Sequence, residues 1–445
     1  MSKLFVILFL LCSFGNAIHA FGKPKIIVLT DIGGDPDDQQ SLVRLLLYSD
    51  MFDIKAICAT GRLGKHPREI QPELIRQQVE AYQKIHPNLL LHSSEYPDAE
   101  YLLSVIKNGQ DDSYVFGEGY DTEASEMIID VVSHSNEMVY ILVWGGLREL
   151  AQALWKIQSK GDSDLLSSFC SRIWVHSIGN QDDHRDYIIN NFNEITFIAD
   201  GWYYRLNPNI REILTYRGMY QTGDQSLQKR DWVKTYIYTS GALGKCYPLN
   251  GAGTNGMKEG DSPSFLGLIH NGLNFPEHPE WGGWGGRYRK MKENLYIDTQ
   301  DFLNGTLNER HTVSRWRPAF QRDFMARLAW SVNSRENANH NPVPVVNHST
   351  GLSPLRCKAK AGSKMLFDAS ESSDPDGDHL SYRWYFYHEI HFVEDIQLKS
   401  LGNGGKCRVH IPKHCSGQTV HLICEITDDG FPPLSAYKRI IIQTE

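Results

Sequence analysis

In KIIVLTDIGGDPDDQQSLVRLLLYS (residues 25–49), a short apolar run passes through a glycine–aspartate turn into a helical pattern. Residues 26–30 are too few for a helix and are β-branched or apolar, which suits a buried strand. From Ser41 onward the apolar residues return at helical spacing. The alternation continues down the chain. Residues 52–59, 89–92, 139–144, 172–178 and 195–199 read as strands, and 125–134, 147–157 and 315–332 as helices. Such alternation predicts an α/β fold, a mostly parallel sheet with helices on both faces. Ligands in such sheets sit beyond the carboxyl ends of the strands. Residues 203–248 have no clear period.

Outside this block the chain changes character. Residues 1–20 have Lys3, an apolar run from Leu4 to Cys12 and small residues at Ala17 and Ala20, the pattern of a cleaved signal peptide. The expectation is a secreted or periplasmic protein with no membrane segment after signal removal, and a main domain over 21–335. Residues 336–346 (ENANHNPVPVV) are Asn- and Pro-rich and read as a linker with little to bury. Residues 347–445 carry short alternating runs between turn clusters, which predicts a small antiparallel β-sandwich. A net charge of -8 and the lack of a basic run exclude nucleic acid as a partner. Cys357, Cys407, Cys415 and Cys424 crowd the tail, and four cysteines in an exported domain predict two disulfides, with Cys357–Cys424 as one pairing.

The turn after the first strand holds Asp31, Asp35, Asp37 and Asp38. Four carboxylates this close repel one another unless a cation neutralises them. Hard oxygen donors suit calcium or magnesium, while helix capping needs only one carboxylate. Elsewhere, Asp182 and Asp183 follow a strand with His184, and Trp281, Trp284, Arg287 and Tyr288 surround the Gly-rich GGWGG segment. These are candidate sugar contacts. For the aromatic loop the other reading is a plug at the domain interface. His176, inside an apolar strand, reads as core. In the tail, the DPDGD of residues 374–378 reads as a turn held by aspartate side chains or as a second calcium site.

The 30–46 segment resembles the DTDxGxDD start of nucleoside hydrolases. It is closer still to exported proteins named for cellulose binding, whose first domain is nucleoside-hydrolase-like and has two residues inserted before the Asp pair. VWGGLRELAQAL, EGDSPSFLGLI, HPEWGGWGGRY, RWRPAFQRDF and DPDGDHLSYRW extend the resemblance over nearly the whole mature chain. It implies that Asp31, Asp37, Asp38 and Asp261 ligate calcium, with a carbonyl of the Gly145–Glu149 turn, here Arg148, completing the shell. It also implies that Asp31 takes the proton of a water held at the calcium. Asp35, Asp182, Asp183, Asn193 (in a loose echo of the family's EFN segment), Trp284 and Arg287 are then candidate substrate contacts. Gly260 replaces the family's leaving-group histidine, which points away from nucleosides and toward a glycan or other glycoside. The expected function is a calcium-dependent glycosyl-bond hydrolase. The alternative is a non-catalytic carbohydrate (cellulose)-binding protein that retains the metal site.

Overall fold

The computed structural model describes residues 22–61, 69–111, 114–203, 214–250, 256–391, 393 and 395–445. The signal segment read at 1–20 lies outside the described residues. The expected α/β architecture is present. Strands β1 (Lys25–Thr30), β2 (Asp53–Ala59), β3 (Ile106–Asn108), β4 (Val139–Val143), β5 (Ile173–Ile178), β6 (Thr196–Asp200), β7 (Tyr288–Lys292) and β8 (Leu295–Asp298) form one sheet in the order β3-β2-β1-β4-β5-β6-β8-β7. Every pairing is parallel except β7 with β8. Side chains of β1 alternate between two cores. Ile26 and Val28 face one, Ile27 and Leu29 the other, and all are fully buried. Burial on both faces is why a continuous apolar run, rather than an alternating one, encodes this strand.

From β1 the chain builds outward through β2 and β3, then returns to start β4 on the other side of β1. The carboxyl ends of β1 and β4 therefore flank the point where strand order reverses, where open α/β sheets leave a crevice. Helix α1 (Pro36–Leu47) follows β1, and α2 (Pro72–Leu89) follows β2. Residues 89–92, expected as a strand, are the end of α2 and a turn. Leu89 is apolar because it closes that helix onto the core, not because it joins the sheet.

The tail forms two facing sheets. One has the order β11 (Leu355–Ala359), β17 (Ser435–Thr444), β16 (Thr419–Thr427), β13 (Ser381–Phe386); the other has β12 (Lys364–Asp368), β15 (Lys406–His410), β14 (Gln397–Leu401). The small hairpin of β9 (Asp301–Leu303) and β10 (Thr306–Asn308) lies between the main sheet and this sandwich in sequence. Pairings in the sandwich are antiparallel, except that β11 runs parallel to β17. The register corrects the Cys357–Cys424 expectation. Cys357 lies level with Ile442 and so with Val420, whereas Cys424 pairs with Lys438 four residues along β16. That offset exceeds the reach of a disulfide, and the described cysteines are free thiols. The stretch 336–346 is also not a loose spacer. Asn339 donates to Asp428 Oδ1 at 2.9 Å and to the Pro432 carbonyl at 2.8 Å, Trp330 donates to the Asn339 carbonyl, and Val346 is fully buried.

Candidate functional site

Asp31 ends β1, and Trp144 and Gly145 follow β4 across the crevice. A side-chain carbon on Gly145 would lie 2.7 Å from Asp31 Cβ, so only glycine lets the two turns close this tightly. Asp35 is the N-cap of α1, yet its carboxylate makes no capping bond and reaches Lys258 instead. Asp37 and Asp38 occupy the helix's first turn, where the macrodipole favours negative charge. Asp261 arrives from the segment before Pro263, buried opposite them.

These carboxylates converge on one cavity of about 280 Å³, lined by Asp31, Asp35, Asp37, Asp38, Lys258 and Asp261, with Trp144, Asn180, Tyr216 and Arg217 among its walls. Asp37, Asp38 and Asp261 each offer an oxygen within 4.8 Å of the others. The Thr30 hydroxyl donates to Asp38 Oδ1. Asp37 Oδ1 and Asp261 Oδ2 are buried with no hydrogen-bond partner. Unpaired buried carboxylate oxygens are costly. Burial, then the charges of Asp38, Asp37 and Asp31, push the Asp261 carboxyl well above its ordinary range. A multivalent cation would relieve both strains, so the donor set fits a hard divalent ion such as calcium.

The remaining walls come from residues without a sequence pattern. Asn180 follows β5, is nearly buried, and leaves Oδ1 without a partner. Gln181 Nε2 donates to the Trp144 and Ile178 carbonyls, and the Trp144 indole donates to Ser264 at 2.8 Å. Tyr216 and Arg217 enter from the loop beyond β6. A buried acid pair holds that loop. Asp298 accepts from the Gly201, Trp202 and Thr215 amides, and Asp200 accepts from the Tyr216 amide and the Tyr288 hydroxyl. Burial, then the neighbouring Asp200, pushes Asp298 up to about 7; burial pushes Asp200 up to about 6. His176, read as core, lies with Nε2 3.0 Å from the Tyr288 hydroxyl, donating to it while that hydroxyl donates to Asp200, and burial pushes its pKa down to about 3. Tyr216 packs beside Gly260: a side-chain carbon there would lie 3.1 Å from Asp37 Oδ2 and 3.3 Å from the Tyr216 ring.

Several sequence candidates lie elsewhere. Arg148 begins α5 (Arg148–Gln158), and its guanidinium is tied to Glu149 and to the Val115 and Tyr120 carbonyls, away from the cavity lining. Trp144, just before that turn, is the residue that reaches the cavity. Asp182 is fully buried and accepts from the Arg148 amide at 2.7 Å, so it pins the α5 start instead of lining the cavity. Asp183, at φ 69°, is exposed beside it, outside the lining. Asn193 sits at the other end of the sheet, its carbonyl taking Asn294 Nδ2. Trp284 is buried against Phe320 and Tyr437, and Arg287 pairs with Asp301 at 2.7 Å, which also takes the Tyr387 hydroxyl. For these two the interface reading holds.

Comparison with known proteins agrees with this fold. Residues 25–288 match the family described as cellulose-binding Sde182, nucleoside hydrolase-like domain, and 364–444 match the cellulose-binding protein Sde0182, C-terminal domain. The chain belongs to this family. A solved Saccharophagus degradans structure, titled a nucleoside hydrolase-related hypothetical protein associated with carbohydrate metabolism, is 32% identical with a TM-score of 0.79, covering 95% of this chain and 100% of that one. The titin M3 domain also aligns, at 15% identity and a TM-score of 0.16 over 23% of this chain and 97% of that one. Among curated proteins none matches. In this Sde182-type chain, the nucleoside-hydrolase-like domain carries the cavity at its strand ends.

Proposed function

We propose that this Sde182-type protein is an exported, calcium-dependent hydrolase of glycosidic bonds in a carbohydrate substrate. The observation that carries the reading is the convergence of Asp31, Asp37, Asp38 and Asp261 on one cavity, with two carboxylate oxygens left unpaired. Asp37, Asp38 and Asp261 would hold the calcium. When bound, it supplies Lewis acidity and room for water and sugar hydroxyl oxygens. Asp31 accepts the proton of the attacking water, whose oxygen bonds the anomeric carbon as the glycosidic bond breaks. The bonding pair leaves with the aglycone, which takes a proton from solvent. Single displacement inverts the anomeric centre. Asn180 is placed to take a sugar hydroxyl on its unpaired Oδ1, and the Trp144 ring walls the same space.

One observation favours the binder instead. Gly260 stands at the leaving-group position, and the adjacent Tyr216 phenol is pushed up to about 12 by burial, a weak acid at neutral pH. In that reading the carboxylates and calcium hold a diol of cellulose or another glycan without turnover.

Screening purified protein against glycosides and polysaccharides, with calcium and with chelator, separates the two. The hydrolase reading expects calcium-dependent turnover that falls about 10²–10⁴-fold in Asp31→Asn, the usual worth of a positioned base, while calorimetry still shows calcium binding. Near-normal turnover by Asp31→Asn would remove the base assignment. Calcium-dependent sugar binding without turnover would support the binder.

A further inference from the structure

Lys258 is a cation built into the carboxylate cavity, which Arg217 also lines, and its backbone is hydrogen-bonded in place. Its Nζ lies 2.9 Å from Asp35 Oδ2 and 3.0 Å from Asp37 Oδ2. The backbone that carries it is fixed from α1: the amides of Lys258 and Glu259 both donate to Gln40 Oε1, at 2.7 and 3.0 Å. Glu259 is fixed in turn by Arg44, by the Tyr247 hydroxyl at 2.6 Å and by Ser262 at 2.9 Å, all buried. An ordinary surface lysine has no such frame. Burying an ammonium this far is favourable only because of its carboxylate partners.

The consequence lies in Asp37. Its Oδ2 faces Lys258, its Oδ1 is buried and unpartnered, and the same carboxylate offers an oxygen within 4.8 Å of oxygens of Asp38 and Asp261. A single carboxylate thus stands between a fixed ammonium and the position where the three acidic oxygens converge. Two cations sharing one carboxylate at these distances repel each other.

We propose that Lys258 is a resident counter-ion of this site, stabilising the carboxylate cluster by itself and weakening calcium binding so that the metal stays exchangeable. The inference rests on the carboxylate site being a calcium site. It differs from a purely structural role in sign. If Lys258 only oriented Asp37, its loss would leave Asp37 disordered and calcium weaker. If it is a competing charge, its loss makes calcium tighter.

The test is calcium calorimetry on wild type, Lys258→Met and Lys258→Arg, beside thermal melts in chelator and in saturating calcium. The proposal expects Lys258→Met to bind calcium on the order of ten- to a hundred-fold more tightly, and Lys258→Arg to stay near wild type. It also expects Lys258→Met to melt below wild type in chelator and to lose that deficit in calcium. Unchanged or weaker calcium binding by folded Lys258→Met would overturn it. Should Lys258→Met fail to fold, Lys258→Gln takes its place with the same expectation. No calcium heat in wild type would also overturn it, by removing the calcium site itself, and is distinguishable because it appears without any substitution.

Discussion

The glycine–aspartate turn at residues 31–38 and the glycine–tryptophan loop at 281–287 have similar credentials in the sequence. Both have closely spaced glycines beside side chains suited to sugars. In the structure they do opposite things. The first leaves its side chains facing a cavity, with buried oxygens unpaired. The second packs its aromatic rings against the sandwich, leaving the Trp284 indole nitrogen buried without a partner. Trp281 stacks on His278 at 3.7 Å and meets the His421 ring at 5.0 Å, while Arg439 of the sandwich donates to the Trp281 and Gly282 carbonyls. Gly282, at φ 68°, has the Tyr387 hydroxyl 2.6 Å from where a side-chain carbon would be. Glycine spacing therefore announces a close approach without saying what approaches. In one region it is a second strand-end turn around a polar cavity, in the other a second domain.

The contrast can be broken most forcefully at the interface. Trp284→Ala should cost about 3–5 kcal/mol of stability, the range for losing a large buried aromatic, while folded protein keeps its calcium affinity. Urea melts and calorimetry check both halves, and a large loss of calcium affinity would tie the two regions into one site.

The next effect is pH dependence from the Asp200–Asp298 pair, which fixes the Tyr216 loop. Both carboxyls hold protons in the fold that the unfolded chain releases above about pH 4. Their contribution is complete below that pH and is lost as pH rises through about 6 and then about 7. In chelator, the melting temperature should therefore decline over that window. Asp298→Asn should flatten the decline, and an unchanged slope would show that the pair is not responsible. A smaller effect is expected at the carboxylate cluster. Asp261→Asn removes a repelled carboxylate, so in chelator it should be as stable as wild type or gain about 1 kcal/mol, the scale of one pKa unit. Marked destabilisation in chelator would make Asp261 a structural residue. Smallest of all, Cys357→Ser should shift stability by only about 0.5 kcal/mol, and non-reducing peptide mapping should recover no Cys357–Cys424 peptide. The cysteine that bears on Cys424 is Cys407 of the facing sheet.

What could be read from the chain follows from which forces leave a local trace. Strand β1 was legible because burial on two faces demands an unbroken apolar run. The acidic turn was legible because charge so concentrated needs a counter-charge. Helix α2 was harder to read, with Pro72 opening it and Pro87 in its last turn, although Ile75, Val79, Tyr82, Ile85 and Leu89 return at helical spacing on its buried face. Tyr216, Arg217 and Asn180 reach the cavity on irregular segments, whose aim is set by remote partners such as Asp298 and leaves no period. Lys258 did leave a signal, a lone base three residues ahead of Asp261 in an acidic motif. Asp182 was misplaced for the converse reason: a carboxylate capping a helix start from another loop looks the same in sequence as one reaching for a ligand.

The proposed metal site is the carboxylate cavity. Trp144 lines that cavity, so terbium bound there should emit when tryptophan is excited. The expected emission saturates, is chased out by calcium and disappears in Asp261→Asn but survives in Trp284→Phe. Emission that persists in Asp261→Asn, or that vanishes with Trp284→Phe, would contradict the proposed site.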